Sequence, residues 1–221
     1  MTESSLSVFK TADMFKGLPK ARFRLVAADV PWDFETYTED RGSRAPKYDV
    51  MTLADIEAMP VAEYAAPDAR LLFWVTGPFL AIGAHVPIMR AWGFEPTAMW
   101  GLWIKPTSYA YQMLPKRLIP LSRGGTHMRM VDDDSFFMGM GHTTRQNAEY
   151  VIEGRRGSPP PRLSKSIRQI MVEPLREHSR KPEKFYRNAE RYADGPRLEL
   201  FGRQVRKGWT VRGNERGKFT R

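Results

Sequence analysis

No cysteine occurs among the 221 residues. That excludes a disulfide framework, a thiolate nucleophile and any cysteine-ligated metal, and it fits a reducing, cytoplasmic setting. Histidine is almost as scarce. His85, His127, His142 and His178 stand at no ligand spacing, so no metal site is expected. Long apolar runs are missing as well. The longest stretch without a charge, Leu71 to Met89, is broken by Gly77-Pro78, Gly83 and Pro87 and contains His85, which reads as strand, turn and helix and not as a membrane span. The opening MTESSLSVFK lacks the charged and then apolar plan of a secretory signal, so no export is expected. There is no internal repeat and no low-complexity linker. The length suits one domain, taken as residues 1–221.

Acidic residues fall short of basic ones, 25 against 35, leaving a net charge of +10. Its placement says more than its size. Gly154 to Arg187 carries +7 and Gly202 to Arg221 carries +6, while the remainder sums to −3. Segregated positive charge is what binding to a phosphate backbone requires, and nucleic acid is the expected partner. Arg155, Arg156 and Arg162 lead the first basic segment.

What the chain does contain is alternation. Arg22 to Val30, Arg70 to Thr76, Ala98 to Lys105, Glu149 to Glu153, Gln169 to Glu173 and Arg197 to Phe201 are short apolar runs suited to buried strands. Thr52-Leu-Ala-Asp-Ile opens a helix with a capping Thr and an Asp three residues on. Phe79 to Trp92 reads as a second helix. A third runs from Pro182, in the first helical position, to Tyr192, with Phe185, Tyr186, Ala189 and Tyr192 on one stripe. This order predicts an α/β fold with a doubly wound, mostly parallel sheet and an antiparallel edge strand. Residues 106–147 do not follow the pattern; their aromatic, arginine and glycine content suggests a substrate-facing loop.

In open α/β sheets ligands bind beyond the carboxyl ends of strands, and Asp29-Val30-Pro31-Trp32 stands where the first strand ends. A carboxylate and a neighbouring backbone carbonyl can both accept hydrogen bonds from an exocyclic amine, proline stiffens the turn, and an indole offers a stacking face. The alternative is that Asp29 caps the turn and Trp32 packs in the core. Lys181, read alone, is a surface charge at a helix start, although an anionic group can also be held there. Gly139-Met-Gly141 lacks the spacing of a nucleotide fingerprint.

Asp29-Val-Pro-Trp resembles the Asp-Pro-Pro-Trp motif of amino-methyltransferases, and further segments resemble one branch of them. These are Tyr48-Asp-Val-Met, Leu72-Phe-Trp-Val-Thr-Gly, Trp103-Ile-Lys105, Glu149 before Gly154-Arg-Arg-Gly, Arg176-Glu-His-Ser-Arg-Lys-Pro182, Leu198-Glu-Leu-Phe-Gly-Arg203 and Trp209-Thr-Val-Arg-Gly-Asn-Glu215. The branch includes the catalytic subunit of the eukaryotic mRNA adenosine methyltransferase and its bacterial and phage relatives. The resemblance implies a Rossmann-like fold and transfer of a methyl group from S-adenosylmethionine to the N6 amine of adenine. It places Asp13, Met14, Asp29, Lys181, Phe201, Arg203, Asn214 and Glu215 at the cofactor. Asp29, Val30, Pro31 and Trp32 become catalytic, and Tyr48, Lys105, Arg145 and Glu149 line the target base, with Trp32 and Tyr48 stacking on a flipped base. Two positions depart from the family pattern: Val30 replaces the usual Pro, and Glu215 the usual Gln. Arg162 to Arg168 and Arg176-Glu-His-Ser look like bacterial and phage members, which favours DNA, in a bacterium or a phage-infected cell. RNA remains the alternative substrate, and an inactive nucleic-acid-binding partner of the same fold the alternative class. A homodimer is compatible with either.

Overall fold

A computed structural model describes residues 11–33, 50–113, 135–139, 143–177 and 180–219. The six apolar runs all form strands: β1 (Phe23–Ala28), β2 (Ala65–Val75), β3 (Glu95–Ile104), β4 (Ala148–Arg156), β5 (Ile170–Val172) and β6 (Arg197–Leu200). A seventh, β7 (Trp209–Arg212), has only four residues inside a basic tail, too few for its alternation to stand out. The order across the sheet is β5-β3-β4-β2-β1-β6-β7. β1 pairs in parallel with β2 and β6, β6 with β7, and β3 with β5. Only β4 runs the other way, against both β2 and β3.

The mostly parallel α/β sheet is thus as the sequence predicts, but its antiparallel strand lies inside the sheet and not at an edge. The physical reason is burial. β4 is hydrogen-bonded on both sides and its Val151 and Ile152 are covered on opposite faces. Side chains alternate throughout. Val26, Ala28, Leu71 and Phe73 belong to one apolar layer, whereas Leu25, Ala27, Leu72 and Trp74 belong to the other.

Seven helices accompany the strands among the described residues: α1 (Thr11–Phe15), α2 (Leu53–Glu57), α3 (Val61–Tyr64), α4 (Gly77–Ala81), α5 (His85–Ala91), α6 (Ser108–Met113) and α7 (Glu183–Tyr192). The Thr52 hydroxyl accepts the Asp55 amide at 3.1 Å, the cap the sequence predicts. Phe79 to Trp92 is not one helix. Gly83, at φ +71°, stops α4 in the left-handed region before α5 begins. Pro182 precedes the first turn of α7 as its N-cap, and the predicted stripe of Phe185, Tyr186, Ala189 and Tyr192 packs on the layer holding Leu25 and Trp74.

Six strands point their carboxyl ends to one edge of the sheet, and β4 begins there. The ends of the long segment after β3 return to the same place: Phe137 donates its amide to the Lys105 carbonyl at 2.8 Å, and Thr107 to Ser135 at 2.9 Å. Residues 114–134 and 140–142 of that segment lie outside the described residues, as do His127, His142 and His178.

Candidate active site

Three strands bring four charges together at the carboxyl edge. Asp29 follows β1, Glu149 is the second residue of β4, and Lys105 follows β3, whose Trp103 is in register with Glu149. Lys181 arrives from the turn before α7. Lys105 Nζ lies 2.5 Å from Glu149 Oε1, Lys181 Nζ 2.6 Å from Glu149 Oε2, and Lys181 Nζ 2.9 Å from Asp29 Oδ1. The result is an alternating chain, Lys105–Glu149–Lys181–Asp29. Both ammonium groups also rest on indoles, Lys181 4.9 Å from the centroid of Trp74 and Lys105 4.7 Å from that of Trp103. Lys181 is buried, at 8% exposure, so it is no surface charge.

Burial and pairing oppose each other here. For Glu149 burial raises the carboxyl, but Lys181 and Lys105 outweigh it and hold it at about 2. Burial would lower Lys181; Asp29 and Glu149 raise it above its ordinary value instead. Asp29 goes up, because burial and the nearby Glu149 charge outweigh Lys181. Its side chain nevertheless keeps 24% of its surface open, so it can meet a ligand.

Beside Asp29 lies a small open cleft whose lining includes Lys181, Glu199, Phe201 and Arg203. Phe201, at φ +62°, turns the chain sharply after β6. Gly202 has no room for a side chain, since a Cβ would stand 2.5 Å from Val211 Cγ1 and 2.8 Å from Glu199 Cδ. Glu199, which the motifs did not single out, is buried; Tyr186 donates its hydroxyl to Oε1 at 2.6 Å, while Oε2 is buried without a hydrogen-bond partner. Burial raises this carboxyl to about 7. The sequence signal was a charge within the apolar run Leu198-Glu-Leu-Phe.

The other predicted residues have varied surroundings. Trp32 is 3% exposed and stacks on Phe79 with centroids 4.4 Å apart, its edge toward Phe73. It therefore supports the motif turn from the core and does not present a free face to a base. The Val30 carbonyl accepts the Trp32 amide at 2.9 Å, a tight turn around Pro31 that leaves the oxygen one further lone pair. Met14 is buried in the core and Asp13 is exposed; Phe15, next in α1, stacks on Tyr64, the last residue of α3 just before β2, so this end of α1 lies at the amino edge, away from the cleft. Glu215 pairs with Arg203 at 3.0 Å and with Lys218, and Asn214 is exposed. Arg145 is exposed just before β4. Tyr48 lies outside the described residues.

Arg155 and Arg156 do not face the site. Six residues along β4 separate Arg155 from Glu149, about 20 Å at about 3.3 Å per residue, which puts them at the opposite edge. Arg155 pairs there with the buried Glu153 at 3.2 Å, and Arg156 donates to the Ala62 carbonyl at 2.5 Å. Arg162 precedes Leu163, whose amide bonds to the Tyr192 carbonyl at the end of α7, again away from Asp29. No group of three His, Asp or Glu placed to hold a metal occurs among the described residues, and none of their helices is long and apolar enough to cross a membrane.

A parallel sheet interrupted by one internal antiparallel strand, with a carboxylate turn after β1 and a polar cleft beside β6, defines a Rossmann-like methyltransferase fold. The sequence model of MT-A70 matches residues 23–215, and the chain belongs to that family. It is 23% identical over 216 residues to the type II methyltransferase M.MunI of Mycoplasma sp, covering 89% of this chain and 79% of that protein. It is 26% identical over 203 residues to the human N(6)-adenosine-methyltransferase catalytic subunit METTL3, covering 88% of this chain but 28% of METTL3. The MT-A70-like protein of Drosophila melanogaster gives 26% over 199 residues, covering 88% of this chain and 27% of the relative. The chain thus spans most of M.MunI and about a quarter of the METTL3-like proteins.

Proposed function

We propose that the protein transfers a methyl group from S-adenosylmethionine to the exocyclic N6 amine of adenine in DNA, with the base turned out of the duplex. The observation that carries this reading is Asp29, held by Lys181 at 2.9 Å on the rim of the cleft. The cleft suits the cofactor chemically. It offers cationic Lys181 and Arg203 toward an anionic end, and the free oxygen of Glu199 toward a hydroxyl or ammonium donor. When bound, S-adenosylmethionine supplies an electrophilic methyl that carries its own leaving group. The chain's task is then alignment and not covalent catalysis.

Asp29 accepts one amine hydrogen and the remaining lone pair of the Val30 carbonyl accepts the other, which aims the nitrogen. Lys181 keeps Asp29 ionised against the cost of burial, and Glu149 with Lys105 keeps Lys181 in place. Asp29, whose carboxyl burial raises above its ordinary value, is also a group able to take the proton that the methylated amine releases. The preference for DNA leans on M.MunI, matched over most of its length, and RNA on the METTL3-like proteins, matched over a quarter of theirs.

The test is mass spectrometry of nucleosides after incubating purified protein with isotopically labelled S-adenosylmethionine and either DNA or RNA. Labelled N6-methyladenine from DNA is expected, and its loss in Asp29→Ala, which stays folded. Label from RNA alone would move the substrate, whereas no label from either would leave a binding partner without activity.

A further inference from the structure

One wall of the cleft carries a contact that neither the fold nor the four-charge chain requires. Arg180, from the turn before α7, reaches across to the segment after β6, where its Nη2 donates to Gln204 Oε1 at 3.0 Å. Its guanidinium carbon lies 5.4 Å from the ring centroid of Phe219. Phe219 comes from a third direction, the turns after β7, and its amide donates to the Arg203 carbonyl at 3.2 Å. Both side chains line the same cleft as Asp29 and Lys181. Arg180 is anchored on its own side by Glu177, with Nη1 at 3.0 Å from both carboxylate oxygens. Two separately anchored walls are therefore joined by one guanidinium and one ring.

From this placement we infer that Arg180 and Phe219 form a clasp over the cofactor cleft and are themselves cofactor-binding residues. The inference rests on the reading that S-adenosylmethionine occupies the cleft. A cation–π contact is weak enough to open for an entering ligand and to reclose, and it adds a barrier to leaving. The Arg180 Nε points the same way. It is buried without an acceptor, and a ligand bringing an acceptor into the cleft removes that cost. A contact that only held the fold together would change stability and leave ligand exchange alone.

The readout is therefore binding, not turnover. Equilibrium and dissociation of S-adenosylmethionine are measured by calorimetry and stopped-flow for the wild type, Phe219→Leu, Phe219→Tyr, Arg180→Gln and the Phe219→Leu/Arg180→Gln pair. Phe219→Leu and Arg180→Gln should each speed dissociation and weaken binding by about threefold to thirtyfold, the worth of one such contact. Phe219→Tyr keeps the ring and should stay at the wild-type value. The double variant should fall short of the summed single losses, because the Arg180–Phe219 contact is lost in each of them. Unchanged dissociation in both single variants, or fully additive losses, overturns the clasp while leaving the cofactor assignment standing. A wild type that does not bind S-adenosylmethionine overturns both.

Discussion

Replacing Glu149 with Gln removes the central negative charge of the chain Lys105–Glu149–Lys181–Asp29 and little else, since Gln has nearly the same volume. The two ammonium groups at 2.5 and 2.6 Å lose their common counter-charge, and one of them meets the new amide's hydrogens. A carboxyl held at about 2 in the folded protein, against an ordinary 4.5, contributes about 3 kcal/mol of folding free energy at neutral pH. Because the folded value is depressed, that contribution is complete above pH 4.5 and is lost as pH falls from 4.5 to 2. Urea unfolding at pH 7 should therefore show Glu149→Gln with an unchanged slope and a midpoint lower by about 1 M, taking about 2 to 3 kcal/mol per molar urea. Near pH 2 the variant and the wild type should converge. Equal midpoints at pH 7, or a gap that persists on acidification, would refute the account of Glu149 as the shared partner of both lysines.

Glu199 should behave in the opposite sense: its folded carboxyl is raised to about 7, so the wild type pays for ionising it as pH climbs from 4.5 through 7, and Glu199→Gln should gain stability over the wild type at pH 8 but not at pH 4. Thermal or urea unfolding at the two pH values checks this, and a variant no more stable at pH 8 contradicts it. Trp32→Ala should lower stability by about 3 to 5 kcal/mol, because an indole stacked between core rings is lost and not an exposed platform. A Trp32→Ala protein as stable as the wild type would return Trp32 to the solvent side of the site.

The strands were legible because both faces of the sheet are buried, so each strand reads as a continuous apolar run, and Asp29 was legible because it stands where such a run stops. The direction of β4 was not. The connection of some forty residues before it gives no geometric constraint, and only a reversed β4 can lift Glu149 to the edge where Asp29 lies. The same reversal carries Arg155 and Arg156 to the edge opposite Asp29. Charge grouped along the sequence is not grouped in space when a strand carries its two ends to opposite edges of a sheet. Trp32 was ambiguous for another reason, since a motif turn needs an anchor in the core as much as a face toward a ligand, and either use favours an indole.

Two carboxylates are buried within strands among the described residues, Glu153 in β4 and Glu199 in β6, and the sequence gives no ground for separating them. Burying an ionised carboxylate is costly unless partners compensate it, so the partners decide what each is for. Glu153 is fully engaged: Arg70 Nη1 lies at 2.5 Å, the Tyr192 hydroxyl at 2.6 Å and Arg155 at 3.2 Å, and these pull its carboxyl down against the effect of burial. That is an internal brace at the amino edge. Glu199 has Tyr186 on one oxygen and no hydrogen-bond partner on the other, and burial pushes it up to about 7. Glu153 has two guanidiniums in direct contact, whereas the cations that act on Glu199, Arg206 and Lys181, do so through space without a hydrogen bond. Glu199 lines the cleft beside Asp29, and its incomplete partner set, more than any motif, marks a place fit to receive a ligand.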